Sequence, residues 1–220
     1  MIGLLIQDNQ YEQDIRELLM SFYPGETYAH EVKDGLDFYV ETRLGDSAVS
    51  VLIWENGAAP EGWKLSDSRT RPSDLSDHSA TKNVIKKMFY LMLAARTGKE
   101  MPWGSLTGIR PTKIALTRLE EGWKEEDIRS FMKETYLASD EKIDLSIEIA
   151  AREKKLLEPL DYERGYSLYV GIPFCPTTCL YCSFTSYPIE KWRGRTGLYL
   201  EALFKELEYT ARKMEGRPLD

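Results

Sequence analysis

Cys175, Cys179 and Cys182 are the only cysteines in this chain of 220 residues, and they fall within eight consecutive positions. Their C-x3-C-x2-C spacing lets three thiolates converge on one small object. An odd number so tightly grouped argues for metal ligation or redox work rather than a disulfide framework. Three is an informative number, because a structural zinc site is closed by four ligands, whereas a cluster held by three cysteines leaves one iron open to a substrate. The two histidines, His30 and His78, are distant in sequence, and nothing marks either as a fourth ligand. Two other readings stay open: a zinc knuckle completed by a distant residue, and three small apolar side chains in a core.

The flanking elements place the cysteines in a loop. Residues 166–171 read as a strand, and residues 197–215 as a helix with Leu200, Leu203, Phe204, Leu207, Ala211 and Met214 on one face. Pro173 and Pro176 break up the stretch between them. The result is a β-to-α loop, and loops at the carboxyl ends of strands are where α/β folds carry their chemistry.

The stretch Tyr169-Val170-Gly171-Ile172-Pro173-Phe174-Cys175, followed by Cys179-Leu180-Tyr181-Cys182-Ser183-Phe184, resembles the signature of radical S-adenosylmethionine (radical SAM) enzymes. That resemblance implies a four-iron four-sulfur (4Fe-4S) cluster on Cys175, Cys179 and Cys182, whose open iron chelates S-adenosyl-L-methionine. One electron then cleaves that cofactor to a deoxyadenosyl radical, which abstracts hydrogen from substrate. It also implies that Tyr181 contacts the adenine and that Tyr169 and Phe184 line the cofactor site. The flanks are similar to the oxygen-independent coproporphyrinogen III oxidase family. The upstream block Trp103-Gly104-Ser105-Leu106-Thr107-Gly108-Ile109-Arg110-Pro111-Thr112-Lys113 resembles its HemZ-type, coproporphyrinogen dehydrogenase branch.

The reaction so implied is oxidative decarboxylation of two propionates of coproporphyrinogen III to give protoporphyrinogen IX in heme biosynthesis. The electron would come from a donor such as flavodoxin or ferredoxin. Gly171 stands where the oxidases often have histidine, and Phe184 where the well-defined oxidases have a fourth cysteine. A related heme-binding chaperone, or radical SAM chemistry on another substrate, is the alternative. Only 38 residues, 183–220, follow Cys182. The sequence therefore reads as an amino-terminal fragment, expected to be inactive without the rest of the cofactor site.

Upstream, the fold class expected is an α+β amino-terminal domain with a helical half, followed by the first β-loop-α unit of a radical SAM partial (β/α) barrel. Residues 1–56 read as a small α+β unit: strands at 2–6, 36–40 and 48–54, and a helix at 11–22 presenting Ile15, Leu18, Leu19 and Phe22. Residues 57–77, rich in Pro, Gly, Ser and Asp, read as a linker. Residues 78–160 read as helical, with helices at 78–97 (Gly98 following as the C′ residue), 111–121, 124–137 and 140–157. Residues 161–220 read as the start of the barrel.

Composition narrows the classes. With 42% hydrophobic and 30% charged residues the chain can bury a core, which excludes disorder. A net charge of −7 gives no general affinity for nucleic acid or anionic membrane. The amino terminus lacks a basic n-region and its apolar run is too short for a signal or spanning helix, so the protein is expected in the cytoplasm. Charge is nevertheless segregated, with eight basic residues between positions 79 and 118 against the single acid Glu100. Within that segment Arg110 and Lys113, beside a glycine-bearing turn and a helix start, form a candidate anion site. The plainer reading is that these bases pair with the acidic helices that follow. Trp103 and Trp123 read as packing residues.

Overall fold

The structure is a computed structural model, and it describes residues 1–31, 35–56, 62–108, 110–161 and 163–219. The chain divides into two compact units, Met1–Lys155 and Leu156–Asp220.

The first unit is α+β. Strand β1 (Ile2–Ile6) leads through a short 3-10 turn into helix α1 (Glu12–Phe22), and the chain returns as β2 (Tyr28–Ala29), parallel to β1. On the other side of β1 lies β3 (Phe38–Leu44), also parallel, and it opens an antiparallel meander with β4 (Ala48–Asn56) and β5 (Trp63–Pro72). The sheet order is β2-β1-β3-β4-β5. Alternation along the strands sends Ile2, Leu4, Phe38, Val40, Val49, Val51 and Ile53 to one face. Against them pack Ile15, Leu18, Leu19 and Phe22 of α1, and Ile85, Met88, Phe89, Met92 and Leu93 of helix α2 (His78–Thr97). Asp77 caps α2 by accepting from the Ala80 N–H, and Gly98 ends it in the left-handed region at φ 67°. Helices α3 (Thr112–Glu120), α4 (Glu125–Tyr136) and α5 (Asp140–Leu157) enclose a second core of Leu116, Ile128, Met132, Ile143 and Ile147.

Two boundaries differ from the sequence expectation. Residues 63–72 are a strand and not a linker; residues 57–61 of that stretch lie outside the described residues. The cause is position: β5 is an edge strand, held by its ladder to β4 and barely buried, so Lys64, Ser66, Asp67, Ser68, Arg69 and Thr70 give no apolar signal. Helix α2 likewise shares the core of the sheet, so the expected break between an α+β unit and a helical region falls inside one packed body.

In the second unit, β6 (Phe174–Cys175) pairs in parallel with β7 (Tyr187–Pro188), followed by α6 (Ile189–Trp192) and α7 (Thr196–Lys213). The strand expected at 166–171 is reduced to one parallel bridge, Tyr166 to Leu219, supported by the Tyr166 N–H donating to Pro218 O at 3.0 Å. Arg217 reinforces it by donating to the Arg164 and Gly165 carbonyls. A strand needs a partner along its length, and among the described residues none runs beside 167–171. The apolar face of α7 is uncovered for the same reason: no residue of α7 is buried, and Phe204 is 60% exposed.

Candidate metal centre

Aromatic packing fixes the base of the cysteine loop. The Phe174 ring lies 5.1 Å from Tyr199 of α7 and 6.0 Å from Trp192 of α6, and Tyr187 lies 5.5 Å from Trp192. The Tyr199 hydroxyl donates to the Gly171 carbonyl, and the Tyr187 N–H donates to Pro173 O at 2.8 Å. Both ends of the loop are thereby tied to the helices that follow it. Trp192 and Tyr199 were not singled out by sequence; an aromatic four residues into a helix looks like any other apolar position until its partner is known.

From that base the loop projects outward. Cys175 is half-buried at the end of β6, Cys179 is exposed at the tip, and Cys182 is half-buried after a turn closed by its N–H donating to Cys179 O at 3.0 Å. All three are free thiols. The Cys182 Sγ lies 3.7 Å from Phe184 O and 3.9 Å from Ser186 Oγ, so its thiol hydrogen has weak local acceptors. Among the described residues no three His, Cys, Asp or Glu side chains are gathered into a metal-holding group. The donor chemistry nonetheless fits a thiolate-bound cluster: three soft ligands on one short loop, reachable from solvent and without a competing carboxylate or imidazole in the motif. Tyr169, Tyr181 and Phe184 are all on the surface, 87%, 89% and 78% exposed. Each therefore presents most of its ring to solvent, Tyr181 and Phe184 on either side of Cys182 in sequence and Tyr169 six residues before Cys175. The histidines have their own surroundings: His78 stacks on Tyr11 at 4.8 Å, and His30 Nδ1 stands 3.7 Å from Glu12.

The basic segment is mostly paired. Arg110 Nη2 donates to Glu153 Oε1 on α5, which replaces the common ligand expected for Arg110 and Lys113; Lys113 itself is exposed on α3. Arg96 pairs with Glu55 and Arg118 with Glu121, while Lys99 donates to Phe22 O at 3.2 Å. For Arg110 the physical reason is the proximity of acidic α5, since a guanidinium beside a carboxylate makes a strong charge-assisted bond; Arg96 and Lys99 find their partners on β4 and α1 instead. Because the Arg110 pair is exposed, Arg110→Ala should shift stability by no more than about 1 kcal/mol. A melting curve displaced by much more than that would mean the pair is a structural tie.

Comparison with known proteins decides the lineage. Over 209 residues, 92% of this chain, it is 32% identical to the oxygen-independent coproporphyrinogen-III oxidase-like protein HemZ of Bacillus subtilis. The chain is thus homologous, over nearly its whole length, to a protein named as oxygen-independent coproporphyrinogen III oxidase-like. It spans 41% of the length of that relative. Over 48 residues it is 46% identical to the oxygen-independent coproporphyrinogen III oxidase of Pseudomonas aeruginosa, covering 10% of that protein. No protein-family model and no solved structure matches the chain. Among the described residues no helix is long and apolar enough to cross a membrane.

Proposed function

We propose that this chain supplies the cluster-binding loop of a radical SAM enzyme of heme biosynthesis, one that decarboxylates coproporphyrinogen III oxidatively and without oxygen. The observation that carries the reading is the free, solvent-reachable cysteine trio on a loop anchored at both ends, in a chain homologous to oxidase-like proteins over nearly its whole length. Cys175, Cys179 and Cys182 would hold the cluster. Tyr181, beside the last cysteine and exposed, is placed to stack on an adenine, with Tyr169 and Phe184 as further apolar walls. When bound, the cluster and S-adenosyl-L-methionine supply one-electron chemistry for hydrogen abstraction; the electron would arrive from a flavodoxin- or ferredoxin-like donor.

What the chain itself contributes is positioning. Phe174, Trp192 and Tyr199 hold the first cysteine against α6 and α7, and the turn from Cys179 to Cys182 spaces the other two. The parallel bridge from Tyr166 to Leu219, with the cysteine loop and α7 between, has the connectivity of a β-loop-α-β unit and supports assignment of residues 161–220 to the opening of a barrel. The uncovered apolar face of α7 supports it too, since such a face is stable when packed.

A second reading has its own observation. Phe184 occupies the place of the fourth cysteine of the well-defined oxidases, which favours a heme-transferring relative that keeps the cluster. The test is to incubate the anaerobically reconstituted full-length protein with S-adenosyl-L-methionine and a reductant, with and without coproporphyrinogen III. Deoxyadenosine that rises with the tetrapyrrole, together with protoporphyrinogen IX, is the expected result. Tight heme binding with no tetrapyrrole-dependent deoxyadenosine would replace the oxidase reading by the chaperone.

A further inference from the structure

The loop at residues 104–108, prominent in sequence and left without a role by the cysteine chemistry, walls a cavity of about 240 Å³ within the first unit. Helices α1 and α2 supply most of its charged lining. Lys86 of α2, only 8% exposed, donates from Nζ to Asp14 Oδ1 at 3.2 Å and to Thr107 Oγ1 at 2.7 Å. Thr107 in turn donates to Glu17 Oε2 at 2.9 Å. Burial pushes the Lys86 ammonium below its usual range, and Asp14 opposes that shift by pairing with it. Lys86 and Asp14 therefore neutralise each other.

Two charges of the lining make no direct ion pair. Lys82, one turn before Lys86, forms no ion pair among the described residues. Neither does Glu17, whose carboxyl accepts from the Gln13 amide at 2.9 Å and the Thr107 hydroxyl; these bonds, with the nearby charges of Lys86 and Arg16, hold it below the usual carboxylate range. The backbone N–H groups of Thr107 and Gly108, on residues lining the same cavity, donate to no acceptor among the described residues. Leu106 and Ile114 add an apolar wall. Two helices and a tied loop thus present one cation and one anion without an ion-pair contact among the described residues, backbone donors and a small apolar surface around one space.

We propose that this cavity binds a small zwitterion of the free amino acid class, with its carboxylate on Lys82 and the loop N–H groups and its ammonium on Glu17. A simple anion would leave Glu17 facing like charge, and a simple cation would do the same for Lys82. Only a ligand carrying both signs matches both. Size agrees: the cavity has room for about eight waters at ~30 Å³ each, enough for an amino acid with a short apolar side chain and too little for a drug-sized ligand.

The test is titration calorimetry of the full chain with L-alanine and L-valine, alongside acetate, inorganic phosphate and methylammonium, on the wild type and on Lys82→Met and Glu17→Gln. The glutamine keeps an oxygen to accept from Thr107, so that variant retains the loop contact. Lys64→Met, on exposed β5, controls for loss of charge alone. Expected are saturable binding of an amino acid, at least about tenfold weaker binding in each cavity variant, unchanged binding in the control, and little response to the single-charge probes. The proposal is overturned if neither amino acid binds at millimolar concentration. It is equally overturned if acetate or phosphate binds as well as the amino acids and Glu17→Gln has no effect, which would make the cavity a plain anion site.

Discussion

Gly104→Ala should lower the stability of the protein by at least ~2 kcal/mol, which corresponds to about 4–8 °C in melting temperature for a body of this size. Gly104 has φ +56°, and a Cβ there would be driven into the Tyr136 carbonyl oxygen and to 2.5 Å from the Leu137 carbonyl. Both obstacles are backbone, so no rotamer change relieves them. The close approach has a purpose in the fold: the next residue, Ser105, is 2% exposed and donates from its N–H to Tyr136 O at 2.7 Å, tying the loop to the end of α4. Gly108, four residues on, has open space where its Cβ would stand and an ordinary φ. Gly108→Ala should therefore be neutral or stabilise by up to about 1 kcal/mol. Thermal melts of the two variants side by side check the loop geometry, and equal losses for both would contradict it.

The second large effect concerns the cysteines. Replacing any one of Cys175, Cys179 or Cys182 by serine should abolish cluster uptake while leaving the melting temperature within a few degrees of wild type. The loop supports that separation, because its fixed points are the rings of Phe174, Trp192 and Tyr199 and not the thiols, which are exposed or half-buried and make no strong bond. Iron and acid-labile sulfide assays after anaerobic reconstitution measure the first quantity, and circular dichroism the second. Full iron content in any single variant would remove that residue from the ligand set.

Helices were legible in the sequence where periodicity met a buried face. Ile15, Leu18, Leu19 and Phe22 recur at helical spacing and are all buried, α2 ends before Gly98 as expected, and α5 runs over the expected 140–157. The edge strand β5 was not legible, since its ladder is backbone and its side chains are polar; nor was the two-residue β2, too short to carry a pattern. The strand expected at 166–171 shows the converse error. An apolar alternating run declares a preference, but pairing takes a second chain segment, and here only Tyr166 finds one.

The site divides along the same line. Cysteine spacing is a local property and was readable at once. The fate of Arg110 depended on where Glu153, 43 residues away, would come to rest. The Lys86 network joins positions 14, 17, 86 and 107, and no local pattern could have announced it.

The most direct test of the cysteine assignment is metal speciation of the full-length protein purified and reconstituted without oxygen, by iron, sulfide and zinc analysis with Mössbauer spectroscopy. One oxygen-labile four-iron cluster per chain, with one iron perturbed on adding S-adenosyl-L-methionine, is the predicted result. Zinc held tightly by the three thiolates with no uptake of iron would contradict it.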